Sequence, residues 1–254
     1  METEICIGAG GWAYFDVPGD RLRSYARAFD IVEVNSTFYW LPSPRTAMGW
    51  RRRVPPDFEF TVRCHRSLTH TLRLTPSEES FEIYEQMRDV CRALDAEVLH
   101  LTTPASLRMT PQRLEEVRDF LRSADRRGLR DNGVIHSVDL SVELPAYSSE
   151  FSYSRLFGRG RHNIYQFTDE ELRDVSEKAR KSGSAKSVLI FHGIRMYKDA
   201  ARIKVYESTG AFPRVTGSVG LDSLAEVLRE DARFPCTKSE LVSHQGWKVI
   251  DLTP

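Results

Sequence analysis

The chain has 254 residues, of which 41% are hydrophobic and 28% charged, a composition typical of a globular protein with one large core or a core and a small appendage. Its 36 basic residues balance its 36 acidic residues, so no net charge attracts it to nucleic acid or to acidic lipid. The four cysteines show neither a C-x-x-C pair nor a metal-type spacing, and no apolar run is long enough to cross a bilayer. We therefore expect reduced thiols and a cytoplasmic protein.

Short apolar runs alternate with helical patterns along the chain, which predicts βα units and a mainly parallel sheet. The helices between the runs have recognisable starts. Thr110-Pro111 supplies an N-cap and a proline at the first helical position, and Thr168–Glu171 is a capping box. Seven strands are predicted, at Ile5–Ile7, Ile31–Val34, Phe58–Val62, Val98–Leu101, Val134–Val138, Tyr153–Leu156 and Val188–Phe191.

The character of the sequence changes after Gly210. Several leucines lie between Leu221 and Leu228, and Thr237–Glu240 has the pattern of another helix start. We therefore predict two parts, a barrel domain at residues 1–212 and a small helical appendage at residues 218–254. The alternative is that these helices are simply the last helices of the barrel.

Polar side chains gather where the first predicted strands end. Glu33 and Asn35 are two residues apart on one strand, so both project to the same face. A carboxylate beside an amide suits a metal site, a general base or a clamp on sugar hydroxyls. Arg63 ends the next strand and His70 follows it, which indicates an anion-binding or acid/base pair. The alternatives are a Glu33 that arginines neutralise for structural reasons and a His70 with a structural role.

Later strands end in further polar groups. Asp139 follows the fifth predicted strand, Arg155 lies in the sixth and His192 follows the seventh. In parallel α/β proteins the ends of successive strands lie at one edge, where pockets form. We therefore expect these side chains to share one cavity with Glu33, and Arg155 to be placed where it can pair with Glu33.

Aromatic residues accompany the first two of these strand ends. Trp12 and Tyr14 follow the first strand, and Phe38, Tyr39 and Trp40 follow the second. Flat rings beside Arg63 and Arg155 are suited to stacking on a base or a sugar. The alternative is that they plug a wide end of a barrel.

Two of these stretches resemble a known family. Gly8-Ala9-Gly10-Gly11-Trp12 resembles the Gly-Thr-Ser-Gly-Trp opening of the YecE-like family, which consists of uncharacterised TIM-barrel-like proteins, and Val32–Tyr39 resembles its Val-Glu-Ile-Asn-x-Thr-Phe-Tyr. The resemblance implies a (β/α) barrel. A family strand that reads Glu-Phe-Arg-His has no counterpart after the helix predicted to end near Gly128. We therefore predict an α/β, TIM-barrel-like fold with seven strands and a short helical C-terminal segment.

The sequence also departs from the family pattern at several polar positions. The family tends to have lysine at Arg63, histidine at Phe157, an amide at His192 and glutamine at Thr102. It shares the aspartate at Asp139 and the Thr-His pair that ends at His70. These replacements imply that chemistry depending on the missing groups is altered or lost in this chain.

Three functions fit these features. The first is hydrolysis of a phosphorylated or nucleic-acid-related substrate, with Glu33, Asp139 and His70 as acid/base groups and a divalent metal as a further role for the carboxylates. The second is a non-catalytic ligand-binding or regulatory protein, and the third is a nucleic-acid-associated protein. The residues predicted to bind the ligand are Trp12, Tyr14, Asn35, Tyr39, Arg63, Arg155 and His192.

Overall fold

The computed structural model describes residues 3–108, 110–125, 135–161 and 163–253. Its strands are β1 (Glu4–Ala9), β2 (Ile31–Val34), β3 (Glu59–Arg63), β4 (Val98–His100), β5 (Phe151–Leu156) and β6 (Lys186–Phe191). Its α-helices are α1 (Arg21–Ala28), α2 (Pro44–Arg51), α3 (Glu78–Leu94), α4 (Pro111–Asp125), α5 (Asp169–Lys181), α6 (Met196–Thr209), α7 (Leu221–Asp231) and α8 (Lys238–Gln245). The alternation of parallel strands and helices confirms the predicted α/β class.

The chain forms two compact units. Residues 10–134 make up the N-terminal unit, and residues 1–9 together with 135–254 make up the C-terminal unit. Each unit contains three parallel strands, in the order β4-β3-β2 in the N-terminal unit and β1-β6-β5 in the C-terminal unit.

The N-terminal unit is built around β2, whose four residues are all buried. A strand buried on both faces is typical of a parallel sheet covered by helices. Tyr84, Met87, Val90 and Leu94 form the buried face of α3, as their helical spacing predicts. The register sets Glu33 opposite Thr61, and this alignment fixes which polar side chains share a face.

The first helix of this unit is held at its start by one carboxylate. Asp20 caps α1 by accepting hydrogen bonds from the Leu22 and Arg23 N–H groups. Arg53, which follows α2, forms an ion pair with the same carboxylate. The hydrogen bond from Arg53 and the two backbone N–H groups lower the pKa of Asp20 to about 2, against the opposing effect of burial. The cap therefore stays ionised over the physiological pH range.

In the C-terminal unit, β6 is buried over its last five residues and pairs with β1 and β5 along its length. The capping box predicted at Thr168–Glu171 is confirmed at the start of α5, and its two reciprocal hydrogen bonds measure 3.2 and 2.9 Å. All four cysteines are free, as expected. Within the described part of the chain, no helix has both the length and the apolarity that crossing a membrane requires.

One predicted strand is not observed. In Val134–Val138, Val134 lies outside the described residues and only Val138 pairs with a neighbour, through a single parallel bridge to Ser154. The pairing does not continue past Val138, because the chain turns at Asp139, whose backbone oxygen accepts the Val142 and Glu143 N–H groups at 2.9 Å. The described residues contain six strands, so neither seven strands nor a closed barrel is confirmed.

The last segment of the chain is attached to the C-terminal unit by polar contacts. Glu230 of α7 forms ion pairs with Arg195 and Lys198 at the start of α6, and Val249 N–H donates to Gln166 Oε1 at 3.1 Å. The helix start predicted at Thr237–Glu240 is confirmed, since α8 begins there with a capping box. The division of the chain into residues 1–212 and 218–254 stays a prediction.

The loop after β5 encloses the ring of Tyr165, and glycine is required there for two reasons. Gly158 has a φ of 76°, and a Cβ at this position would lie 2.0 Å from Tyr165 Cδ1. Gly183, after α5, has a φ of 78° with open space around it. The two glycines therefore share the cost of a left-handed backbone but differ in the space available.

We expect Gly183→Ala to lower the free energy of unfolding by about 1 kcal/mol, which is the cost of the backbone conformation. Gly158→Ala should cost roughly 2 to 4 kcal/mol, because overpacking against the Tyr165 ring is added to the same backbone term. Urea denaturation of both variants measures the difference. Equal losses would contradict the steric argument.

Candidate functional site

The polar cluster of the N-terminal unit, which we call the Glu33 cluster, consists of Glu33, Asn35, Arg63, His70, His100 and Thr102. Its geometry follows from strand register. Glu33 lies opposite Thr61 and Arg63 lies opposite His100, so alternate residues of β2, β3 and β4 project from one face of the sheet. The strand ends thus bring carboxylate, guanidinium and imidazole groups together.

Glu33 is fully buried, and its Oε2 lies 3.5 Å from His100 Nδ1. The Thr102 hydroxyl oxygen lies 3.3 Å from the same nitrogen. A carboxylate beside Nδ1 favours a proton on that nitrogen, so in the neutral ring Nε2 keeps the lone pair.

His100 is not among the residues predicted from the sequence to form the site. The available signal was the period-two pattern of Val98, His100 and Thr102, which places the last two on one face at the end of a strand. Thr102 was noted only as a departure from the family pattern.

Arg63 is held in place by polar and aromatic contacts. Its Nη1 donates to Asn35 Oδ1 at 2.8 Å, and its Cζ lies 3.8 Å from the centre of the Phe38 ring. Contrary to the prediction, Asn35 is not part of the Glu33 strand but begins a short 3-10 turn at Asn35–Phe38 that directly follows β2 and contains Phe38. The turn is attached to β3 by Thr37, whose hydroxyl donates to the Arg63 backbone oxygen at 2.5 Å. The predicted proximity of Asn35 and Arg63 is therefore observed.

His70 lies in a turn of π-helix at Ser67–Thr71, a kind of turn that often occurs at functional sites. Its ring contacts Phe38 edge-on at 5.0 Å, and its Nδ1 lies 2.9 Å from the Thr69 hydroxyl. Burial, and then the positive charges of Arg63 and Arg66, lower the pKa of His70. The positive field at this imidazole is the kind that attracts an anion.

Two of the three aromatic residues predicted to bind a ligand are exposed in the same unit, and Trp12 is half-buried. Tyr14 and Tyr39 are 83% and 67% exposed. Tyr39 contacts Phe38 edge-on at 4.9 Å, while Trp12 contacts Trp50 at 5.3 Å. The faces of Tyr14 and Tyr39 are therefore largely open to solvent, although their role in binding stays a prediction.

The C-terminal unit holds a second polar cluster, the Arg155 cluster, which consists of Asp139, Arg155, Phe157 and His192. Arg155 Nε donates to His192 Nε2 at 3.1 Å, and both side chains are buried. Phe157 stacks on the His192 ring at 4.6 Å with 14° between the planes. Because Nε2 accepts this hydrogen bond, the His192 ring is neutral with its proton on Nδ1.

Asp139 organises the loop that carries Phe157. Its Oδ2 accepts the Phe157 and Gly158 N–H groups at 2.7 and 3.1 Å, and its Oδ1 accepts the Ser141 N–H and hydroxyl at 2.9 and 2.6 Å. Four hydrogen bonds to one carboxylate account for its conformation. This contact set identifies Asp139 as a positioning residue of the loop, and a catalytic role for it stays a prediction.

The structure thus groups the predicted site residues by unit. Glu33, Asn35, Arg63 and His70 belong to one cluster, and Asp139, Arg155 and His192 belong to the other. That all of them line a single cavity, and that Arg155 pairs with Glu33, stay predictions. A groove of about 580 Å³ runs along α3 between Pro76 and Gln86, and no predicted site residue lines it.

Together, parallel strands and polar residues at the strand ends define an α/β protein of the class whose pockets form at that edge. The chain belongs to the family described as "Protein of unknown function DUF72", whose model matches residues 6–205. This membership confirms the YecE-like resemblance seen in the sequence.

Two relatives are similar to parts of the chain. The UPF0759 protein YecE of Escherichia coli K12 is 38% identical over 53 residues, which cover 21% of this chain and 20% of that protein. The UPF0759 protein YunF of Bacillus subtilis 168 is 28% identical over 103 residues, or 38% of this chain and 36% of that protein. The chain therefore matches well under half the length of either relative.

Solved structures of the same family have a similar fold. A DUF72 family protein from Thermotoga maritima MSB8 superposes with a TM-score of 0.63 at 20% identity, covering 81% of this chain and 99% of that one. A DUF72 family protein from Enterococcus faecalis V583 gives a TM-score of 0.58 at 15% identity, covering 82% and 98%. At these identities the likeness shows the fold alone.

The lowered pKa of His70 predicts a pH dependence of stability. The unfolded chain binds a proton at this imidazole more readily than the folded chain, so the associated stability is full above the unfolded pKa of about 6.5 and falls as the pH drops through the folded pKa. His70→Asn should reduce this acid loss. Urea denaturation between pH 7.5 and pH 5 measures it, with His244→Asn as an exposed control. Identical pH profiles for wild type and His70→Asn would contradict the prediction.

Proposed function

We propose that the chain is a hydrolase that acts on phosphorylated substrates, with Glu33 and His100 as its acid/base pair and Arg63 as its phosphate-binding group. The observation that carries the proposal is the fully buried Glu33 carboxylate, 3.5 Å from His100 Nδ1, on the sheet face that also presents Arg63. Burying a charge without a partner costs several kcal/mol, and the imidazole offsets part of that cost.

His100 and Glu33 divide the proton transfer between them. With its proton on Nδ1, His100 takes a second proton at Nε2 from a water molecule as the water oxygen bonds to phosphorus. The P–O bond to the leaving group breaks, and the proton passes to the leaving oxygen. The Glu33 carboxylate stabilises the imidazolium that exists between these two transfers, as in other carboxylate–histidine pairs.

Arg63 supports the proposal because its guanidinium is fixed before any ligand binds. The hydrogen bond to Asn35 and the contact with Phe38 restrict its orientation, which reduces the entropy lost on binding an anion. The positive charge of Arg66, which lies near His70, would strengthen the attraction for phosphate. We assign His70 to anion binding rather than to proton transfer.

A divalent metal is a second route to the same reaction. Carboxylate, imidazole and amide groups are metal ligands, and Glu33, His100 and Asn35 supply one of each. The assay below therefore includes a chelator arm and arms with Mg²⁺, Mn²⁺ or Zn²⁺. We propose that the protein works in the cytoplasm, in keeping with its four free thiols.

A non-catalytic ligand-binding function is the second candidate, and the Arg155 cluster favours it. Phe157 covers one face of His192, and the Asp139 carboxylate already accepts four hydrogen bonds. Such contacts are more typical of side chains that bind a ligand or hold a loop in place than of side chains that transfer protons. In this reading Arg155 and His192 contact a ligand, and no bond is broken.

We expect slow hydrolysis of p-nitrophenyl phosphate or bis-p-nitrophenyl phosphate by the purified chain. Glu33→Gln and His100→Asn should each lower kcat about 10² to 10⁴-fold, because both remove the base or its orientation. Arg63→Gln should mainly raise KM, because it removes a group that binds the substrate.

Two controls separate chemistry from folding. Asp199→Asn replaces another buried carboxylate, in the C-terminal unit, and His136→Asn replaces an exposed histidine, so both should leave kcat unchanged. Circular dichroism and thermal melting report whether each variant folds. If the wild type binds phosphate but turns over no substrate in any metal or chelator arm, the ligand-binding function replaces the enzyme.

A further inference from the structure

The last two helices expose apolar side chains that the C-terminal unit does not bury. Five of the fifteen large hydrophobic residues exposed in the described part of the chain lie between residues 218 and 253. That is a third of them in about a seventh of the chain. They are Leu221, Leu224, Phe234, Val242 and Leu252.

Helix α7 has two different faces. Ser223 and Val227 are buried against the unit. Leu221, Leu224 and Leu228 follow the spacing i, i+3, i+7 and form a stripe on another face, with Leu221 83% exposed and Leu224 37% exposed. A leucine stripe open to water at the surface is typical of a helix that packs against a partner.

The apolar surface extends beyond both ends of the helix. At its start, Gly220 N–H donates to the Asp251 backbone oxygen at 2.7 Å, which brings the exposed Leu252 beside the first turn. At its other end, the exposed Phe234 lies three residues beyond Asp231, the last residue of the helix. A second copy of the helix running in the opposite direction would therefore meet apolar side chains at both ends.

One acidic and one basic side chain flank the leucine stripe of α7, so that two copies of the helix can pair opposite charges. Asp222 and Arg229 are exposed and seven residues apart, which is two helical turns, so they lie on the same side of the stripe at opposite ends. In an antiparallel pair related by a two-fold axis, Asp222 of one copy faces Arg229 of the partner subunit, and this contact occurs twice. In a parallel pair this side of the stripe would face the opposite side of the partner's stripe, so Asp222 and Arg229 would not meet.

We propose that the chain forms a two-fold symmetric dimer through antiparallel packing of α7, with a second copy of the chain as the occupant of the leucine stripe. The proposal does not rest on the chemistry of the Glu33 cluster. Because the formal net charge is zero, no overall repulsion opposes association. One short helix with its neighbouring side chains offers less than the roughly 800 Å² per partner of a standard interface, so the dimer is weak and depends on concentration.

Sedimentation velocity over a concentration series from micromolar to near-millimolar tests the proposal. The wild type should shift from monomer to dimer mass as the concentration rises, and Leu224→Asp should stay monomeric. Asp222→Arg and Arg229→Asp should each weaken dimerisation about tenfold or more, because each places like charges together twice. Asp57→Arg, an exposed reversal in the N-terminal unit, is the matched control and should leave dimerisation unchanged.

Restoring the charge pairs makes the test specific. The double variant Asp222→Arg, Arg229→Asp should dimerise like the wild type, and an equimolar mixture of the two single variants should form a mixed dimer. Circular dichroism confirms folding of every variant. A wild type that stays monomeric throughout, a dimer that survives Leu224→Asp, or a failure of the double variant and the mixture to pair would each overturn the proposal. The face would then belong to a different protein or a membrane surface.

Discussion

Glu33 is a carboxylate with no exposed surface in a strand whose four residues are all buried. Taking such a group out of water is costly, and the fold must supply polar partners on the same face of the sheet. The parallel register does so, because it aligns the ends of β2, β3 and β4 and sets His100 within reach of the carboxylate. The placement of Arg63, Asn35 and the turn after β2 depends on the same register.

The two polar clusters use similar residue types differently. In the Glu33 cluster, the contacts orient a histidine and an arginine and place positive charge near a second histidine. In the Arg155 cluster, hydrogen bonds from a loop saturate Asp139, and an aromatic ring covers His192. Residue type alone therefore does not separate a group available for chemistry from one that shapes a loop, whereas the number and kind of its partners does.

In the last helices, too, some side chains hold the structure together while others stay exposed. Glu230 at the end of α7 holds the segment to the rest of the C-terminal unit through Arg195 and Lys198. The leucines on another face of that helix contribute little to this attachment, because Leu221 and Leu224 remain exposed. Polar contacts thus fix the position of α7, and the apolar stripe is left for association.

The sequence by itself determined the α/β class, six strands with end shifts of no more than two residues, the capping box at Thr168–Glu171 and the helix start at Thr237–Glu240, because these depend on local periodicity and capping chemistry. It also placed Asn35 and Arg63 near one another. Only the tertiary structure decided that His100 is the partner of Glu33, since strand register aligns residues 67 positions apart in the chain. It likewise decided that 135–138 is not a regular strand, because a strand needs a paired neighbour and among these residues only Val138 has one, the single bridge to Ser154.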